Sequence, residues 1–255
     1  MKNLCFYYNP GSVFSNVGAL MIHEKGIQDQ VEFKPIKMGV DNIAPWYITL
    51  NPKGQVPTLI HGGKPIPDTL AIASYLDKEF PTNPLFSAEE PKVIDKVEQW
   101  RQTRVLSLIA GKKTPTQDVH KTQDTLDRSR EQVLAYAKEY PELEQAYKTR
   151  LEIHDNRTHI LVDHDAHLLH KQRWTKLLED TDIALQHRDT ILEQGRTAVD
   201  VYAVSILYWA LQKMDPHLLD DWSNIKRFYL RESEKDSFKH AFTNNSNDNK
   251  APSSS

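Results

Sequence analysis

Three short stretches carry residues whose types and spacing suit chemistry. Gln55-Val56-Pro57 stands at the start of a predicted strand. A cis Val56–Pro57 bond there would turn the Val56 N–H and C=O away from the sheet, where they can pair with an extended peptide laid alongside. The same proline also reads as one that merely begins an edge strand. Asp68-Thr69 opens the next predicted helix. Main-chain N–H groups and the helix dipole favour an anion at such a point, and a side-chain oxygen can cap it. A ligand with both a carboxylate and an ammonium would find the Thr69 hydroxyl and N–H for one and the Asp68 carboxylate for the other; the plainer alternative is an N-cap. Ser12 and Ser15 follow the turn Asn9-Pro10-Gly11, and either hydroxyl suits the cap of the helix that begins there. Val56 and Asp68 are separated by one predicted hairpin, which puts them on the same edge of the sheet.

A fourth stretch, HDNRTHILVDHDAHLLHK, holds His154, His159, His164, His167 and His170 with Asp163 and Asp165. On a helix, His164 with His167 or His167 with His170 would share a face at a spacing that can chelate zinc or nickel. No cysteine or catalytic partner accompanies them, so the stretch reads as a solvated polar helix or loop and no metal is expected. The five tryptophans, Trp46, Trp100, Trp174, Trp209 and Trp222, read as core.

The elements that must position these groups fall into two parts. The 255 residues include 39% hydrophobic and 26% charged side chains with a net charge of -3, the balance of a globular chain rather than a disordered one or a nucleic-acid binder. The single cysteine, Cys5, allows no intramolecular disulfide and fits a reducing compartment, with a cytoplasmic address as the default. Met1-Lys2-Asn3 leads into an apolar run too short for a signal segment, and no window approaches a membrane span. Before Pro81, Leu4 to Tyr8 and Val31 to Ile36 read as strands around a helix with Val17, Leu20 and Met21 on one face, ended by Lys25-Gly26. A helical piece follows near Pro45-Trp46-Tyr47, then TLIH and KPIP around Gly62-Gly63, then a helix with Ile72, Tyr75 and Leu76 inward. The order βαβ, α, ββα is thioredoxin-like.

After Pro81 the pattern is helical. Val93, Val97 and Trp100 mark one helix, interrupted at Gly111 to Pro115. From Asp118 to Arg188 a long polar helical region is expected, with Val133, Leu134, Ala137, Trp174, Leu177, Leu178 and Thr181 as its apolar stripes. Pro141 breaks it, and a loop or irregular helix is expected between Thr149 and Lys171. Arg196 to Gln212 is apolar nearly all round and belongs in the middle of a domain, with a capping-box spacing from Thr197 to Asp200. The expected organisation is an α/β thioredoxin-like N-terminal domain (1–81), an all-α C-terminal helical domain (88–242) and a disordered tail (243–255).

Taken whole, Asn51 to Leu76, NPKGQVPTLIHGGKPIPDTLAIASYL, resembles the glutathione-binding half of cytosolic glutathione transferases, in which NPxGxVP precedes an acidic-Ser/Thr pair and an AIxxYL helix. The capped apolar helix at Thr197 is similar to their C-terminal domain, so the resemblance spans nearly the whole chain. It implies that Val56, fixed by Pro57, pairs with the cysteinyl main chain of glutathione, that Asp68 and Thr69 hold its γ-glutamyl end, and that Lys53 and Gln55 lie near its glycyl end or main chain. NPGSVFSNV resembles the phi-type pattern of Pro, one residue, then Ser, which implies that Ser12 donates to the glutathione sulfur, with Ser15 as competitor. Tyr7 and Tyr8 lie within the strand and suit that role less. A free thiol with pKa ~8.5 is only a few per cent ionised at neutral pH, and a hydroxyl donor at a helix N-terminus would lower it.

Two departures qualify the resemblance. Asp41-Asn42 stands where phi-type proteins carry basic residues near the glycyl carboxylate, which leaves Lys53 as the substitute. EYPELEQAYKTRL and VDHDAHLLHK resemble the extended helical segment of ganglioside-induced differentiation-associated proteins, whose membrane role is not expected here. The implied function is conjugation of the glutathione thiolate to an electrophilic hydrophobic small molecule, in detoxification or small-molecule biosynthesis, by a homodimer without nucleic-acid or membrane partners. Tyr208 or residues near Arg104 are candidates to pack the acceptor. A glutathione-binding regulator or carrier with little catalysis is the alternative, and reductase chemistry is disfavoured because Cys5 precedes the turn.

Overall fold

The computed structural model describes residues 3–86, 90–104, 108, 117–162 and 164–243. Strand β1 (Leu4–Tyr8) buries Leu4, Phe6 and Tyr8 on one face and leaves Cys5 and Tyr7 half-buried on the other, the alternation a strand with one covered face requires. Helix α1 (Val13–Glu24) starts after Ser12, whose backbone is extended, and ends at Lys25 with Gly26 in the left-handed region at φ +66°. Strand β2 (Val31–Pro35) runs parallel to β1, and α2 (Pro45–Leu50) carries proline in its first turn. Strands β3 (Thr58–His61) and β4 (Lys64–Pro67) form an antiparallel hairpin across Gly62 and Gly63, both at positive φ. Helix α3 (Thr69–Glu79) follows. The sheet order β2-β1-β3-β4, with β1 antiparallel to β3, is the mixed sheet of a thioredoxin-like domain. Ile72 and Leu76 are fully buried beneath it, whereas Tyr75, expected inward, is half-buried beside His61.

The helical part comprises α4 (Glu90–Gln102), α5 (Gln117–Glu139), α6 (Glu144–Val162), α7 (His164–Ala184), α8 (Ala198–Lys213), α9 (Ser223–Ser233) and α10 (Asp236–Thr243). Helix α8 is buried on nearly every side, and its capping box is formed: the Thr197 N–H donates to Asp200 Oδ2 at 2.8 Å and the Val199 N–H to Thr197 Oγ1 at 3.3 Å. One apolar cluster runs from Leu4, Phe6 and Leu20 through Val97 and Trp100 to Leu207 and Phe228, so sheet and bundle share a core. The expected interruption at Gly111 to Pro115, the start at Ala88 and the tail beyond Thr243 lie outside the described residues.

Between Thr149 and Lys171, where a loop or an irregular helix was expected, the chain is helical, α6 running to Val162 and α7 starting at His164. The apolar period was hidden because two positions on the buried face of α6, beside Tyr147, are Arg150 and His154, both under a tenth exposed. Leu134, expected in the apolar stripe, is 43% exposed, whereas Val133 and Ala137 pack as expected, with Tyr136 and Tyr140 beside them. The α5–α6 pair docks on the loop around α2: Ile43, Ile48, Val133 and Tyr147 form a separate buried cluster, and the Tyr147 hydroxyl donates to the Ile43 carbonyl at 3.1 Å.

Candidate functional site

A cavity of about 310 Å³ opens between the strand-and-turn elements and α4. Ser12, Lys53, Gln55, Val56, Pro57, Asp68 and Thr69 all line it, together with Arg101 and Arg104 from α4 and the residues just beyond it. The seven residues singled out in the sequence are thus brought to one space.

The turn from Asn51 to Pro57 is stitched by its own neighbours. Asn51 Oδ1 accepts from the Lys53 N–H at 3.1 Å, and Asn51 Nδ2 donates to the Gln55 carbonyl at 2.8 Å and to Thr58 Oγ1 at 3.0 Å. The Tyr47 hydroxyl donates to the same Gln55 carbonyl at 2.7 Å, and burial pushes its pKa up to about 12, so it stays a donor. Gly54 sits at φ +55° with its carbonyl accepting from Asn42 Nδ2 at 2.7 Å; a Cβ there would lie 2.8 Å from the Asn42 carbonyl and 2.7 Å from Arg150 Cδ. Glycine is therefore required twice over, by conformation and by space. The Val56–Pro57 bond is cis, and among the described residues neither main-chain polar group of Val56 takes part in a hydrogen bond. Gly18 lets α1 close on this turn, since a Cβ would stand 2.8 Å from Phe6 Cζ and 3.2 Å from Pro57 Cγ.

At the second edge, Asp68 is the N-cap of α3 and Thr69 its first residue. Asp68 adopts φ +80°, a conformation L-residues avoid, while its Oδ1 accepts from the Leu70 N–H at 2.8 Å. The Asp68 carboxylate is not open to an incoming ammonium alone. Arg101 grips it from α4 through two bonds, Nη1 to Oδ1 at 3.2 Å and Nη2 to Oδ2 at 2.5 Å, and also reaches Glu98 at 2.9 Å. Thr69 is buried and accepts from the Tyr202 hydroxyl at 2.5 Å. Full burial pushes the Tyr202 phenol far up, so it keeps the proton it donates to Thr69. With its oxygen already accepting, the Thr69 hydroxyl has its own proton left to donate. Arg101 and Tyr202 were not singled out in the sequence. WRQTR offers no signal for Arg101, whereas a tyrosine on an otherwise aliphatic buried helix signals that its hydroxyl needs a partner.

Ser12 and Ser15 part company in the structure. Ser12 caps α1, its Oγ accepting from the Ser15 N–H at 3.3 Å, and lines the cavity with its proton likewise left over. Ser15 is fully buried, accepts from the Asn9 N–H at 3.1 Å and does not line the cavity. Tyr7 packs against Trp46 and Tyr47, and Tyr208 packs against Phe238 and Phe242, so neither faces the site; Phe14, Trp100, Ile153 and Ile206 supply its apolar wall. Cys5 sits away from the cavity near Lys34 and Tyr7, and burial pushes its thiol up, the reverse of activation. Among the described residues no three His, Cys, Asp or Glu side chains converge as metal ligands. His154 and His170 are separately buried, and Asp163 lies outside the described residues.

The family model for the glutathione S-transferase N-terminal domain matches residues 6–84. Glutathione S-transferase 1 of Dianthus caryophyllus is 37% identical over 73 residues, which cover 29% of this chain and 33% of that protein. A probable glutathione transferase of Aplysia californica is 33% identical over 70 residues, 28% of this chain and 72% of that protein. The chain belongs to the glutathione transferase superfamily. The match spans only about a third of the length of the Dianthus relative. For the remainder, the crystal structure of the beta-etherase LigF from Sphingobium gives a likeness of fold: TM-score 0.67 at 19% identity, covering 95% of this chain and 99% of that one. The likeness of fold therefore extends across the helical part. No helix among the described residues is long and apolar enough to cross a membrane.

Proposed function

We propose that the protein is a glutathione transferase that binds reduced glutathione in this cavity and adds its thiolate to an electrophilic carbon of an apolar acceptor. The observation that carries the reading is the state of the two cavity hydroxyls. Ser12 and Thr69 each already accept a hydrogen bond from the protein, which leaves each with a proton to give. In the proposed complex Thr69, with Arg101 beside it, donates to the γ-glutamyl carboxylate. Asp68 and Glu98 face the ammonium, Val56 exchanges main-chain bonds with the cysteinyl residue, and Lys53 and Gln55 meet the glycyl end. Ser12 donates to sulfur at the N-terminus of α1, where the helix dipole also favours a negative charge. The S–C bond then forms as the leaving group departs with its electron pair, and the thiol proton goes to water. We carry a homodimer and a cytoplasmic address as part of the same proposal.

A second reading, a glutathione-binding regulator or carrier, is favoured by one observation: Asp41 Oδ2 accepts from the Lys37 N–H at 2.7 Å and Asn42 Oδ1 from the Gly39 N–H, so positions 41 and 42 hold their own loop and bring the glycyl carboxylate no cation. Replacing Ser12 separates the two. Ser12→Ala is expected to keep glutathione affinity within about threefold while turnover of a chlorodinitrobenzene falls about 10- to 100-fold, the worth of one hydrogen bond to a charged sulfur. Undiminished turnover would remove the serine from the mechanism.

A further inference from the structure

The charges of the cavity do not cancel, and the surplus has a definite address. Lys53, Arg101 and Arg104 line it against Asp68 and Glu98. Both carboxylates are taken by Arg101. Lys53 lies on the turn before Val56, on the side given to glutathione. Arg104 lies on the helical wall, and among the described residues its guanidinium makes no hydrogen bond or ion pair. The chain turns at this point: α4 stops at Gln102, the Thr103 hydroxyl donates to the Trp100 carbonyl at 2.7 Å, and Arg104 adopts φ +52°. That left-handed conformation costs a side chain about 1 kcal/mol or more and is the usual place for glycine. Here it carries an arginine, and Gln102, Thr103 and Arg104 all line the cavity as a result. Phe14, Trp100 and Ile206, which line the same cavity, are apolar.

We propose that Arg104 is the anion subsite for the acceptor, so that the preferred electrophile is an apolar molecule bearing a carboxylate. The inference rests on the proposed function and narrows its substrate class. A guanidinium with no hydrogen-bond or ion-pair partner among the described residues offers paired N–H donors to a carboxylate, in a cavity whose lining is otherwise partly apolar. The selectivity expected for such a partly exposed contact is about tenfold.

The test uses two electrophiles that differ in charge alone: a chloronitrobenzoate, with chlorine para to the carboxyl and the nitro group beside the chlorine, and its carboxamide. In both, the S–C bond forms at the carbon that carries chlorine, chloride leaves with the C–Cl electron pair, and the thiol proton goes to water. Each kcat/KM is divided by the uncatalysed rate with glutathione, which removes intrinsic reactivity. The expected result is a roughly tenfold preference for the benzoate that Arg104→Gln abolishes and Arg104→Lys largely keeps. Equal rates in the unaltered protein, or a preference that survives Arg104→Gln, would overturn the assignment. So would an Arg104→Gln variant whose only defect is weaker glutathione binding, since the cation would then serve the tripeptide. Binding of the same two compounds without glutathione, read by tryptophan fluorescence, separates this inference from the function it rests on. Failure of glutathione to bind would defeat the transferase reading. An anion preference erased by Arg104→Gln in that titration would still support the subsite, and its absence there would overturn it.

Discussion

The turn from Asn51 to Pro57 and the helical wall opposite it border the same cavity, but they are held by bonds of very different reach. In the turn, partners stand two to twelve residues apart: Asn51 with Lys53, Asn51 with Gln55, Tyr47 with Gln55, Asn42 with Gly54. Between the helical part and the sheet domain they span 33 residues for Arg101 with Asp68, 104 for Tyr147 with Ile43 and 133 for Tyr202 with Thr69. The hydrogen bonds that shape the turn around Val56 are therefore made mostly by near neighbours in the chain. The wall must be folded before Asp68 and Thr69 acquire the charge and proton orientation that the proposed site uses. Short-range polar stitching makes a binding edge; long-range contacts decide what that edge can hold.

The sharpest way to break the turn's side of this contrast is Gly54→Ala. A methyl at positive φ, within 2.8 Å of the Asn42 carbonyl, should cost about 2–4 kcal/mol in urea unfolding and abolish millimolar glutathione binding, because the peptide before Val56 must move. Stability within 1 kcal/mol of the unaltered chain would mean the turn is not rigid. On the side of the long-range contacts, Tyr147→Phe leaves the Ile43 carbonyl without its side-chain donor and should cost about 1–2 kcal/mol. If the helical part positions α2 as described, the loss falls on stability with little effect on the local turn. Glutathione affinity should then change less than threefold, measured by titration calorimetry.

The smallest effect expected is one of pH. His23 on α1 and His170 on α7 are both held below the ordinary histidine value. Burial is the main cause in each, aided by His240 for the first and by Arg173 and Arg104 for the second. Each is neutral in the fold, so the unfolded chain takes up protons first as pH falls through about 6.5. Stability should be flat above that pH, decline below it and level off once the folded imidazoles protonate. A calorimetric scan from pH 7.5 to pH 5.5 should show the melting midpoint fall by about 2–4 °C. His23→Gln and His170→Gln should each remove part of the decline; an unchanged slope in both would assign it elsewhere.

The same difference in reach explains what was legible beforehand. Strand alternation, the Gly62-Gly63 hairpin, the cap at Thr197 and the NPxGxVP turn are local, and each is written within about eight residues. The helix across Thr149 to Lys171 was not legible, because Arg150 and His154 occupy buried positions that a hydrophobic period expects to be apolar. Arg101 and Tyr202 escaped for the complementary reason: their partners lie on another element, nothing within its helix marks Arg101, and Tyr202 is marked only as a buried hydroxyl whose partner the helix does not name. Leu134 reads as core by type, yet the stripe that packs turns toward Tyr136 and Tyr140 instead.

The central claim, that this cavity binds glutathione and favours its thiolate, is tested most directly by titrating reduced glutathione into the protein and following the thiolate absorbance of the bound ligand as pH rises. The account predicts binding at millimolar ligand or below and a thiol pKa at least about one unit under the free value of ~8.5, restored toward that value by Ser12→Ala. Binding with an unshifted thiol would contradict the catalytic role of Ser12 and turn the site into a carrier's; no binding at all would leave the Asn51 to Leu76 frame as fold without its ligand.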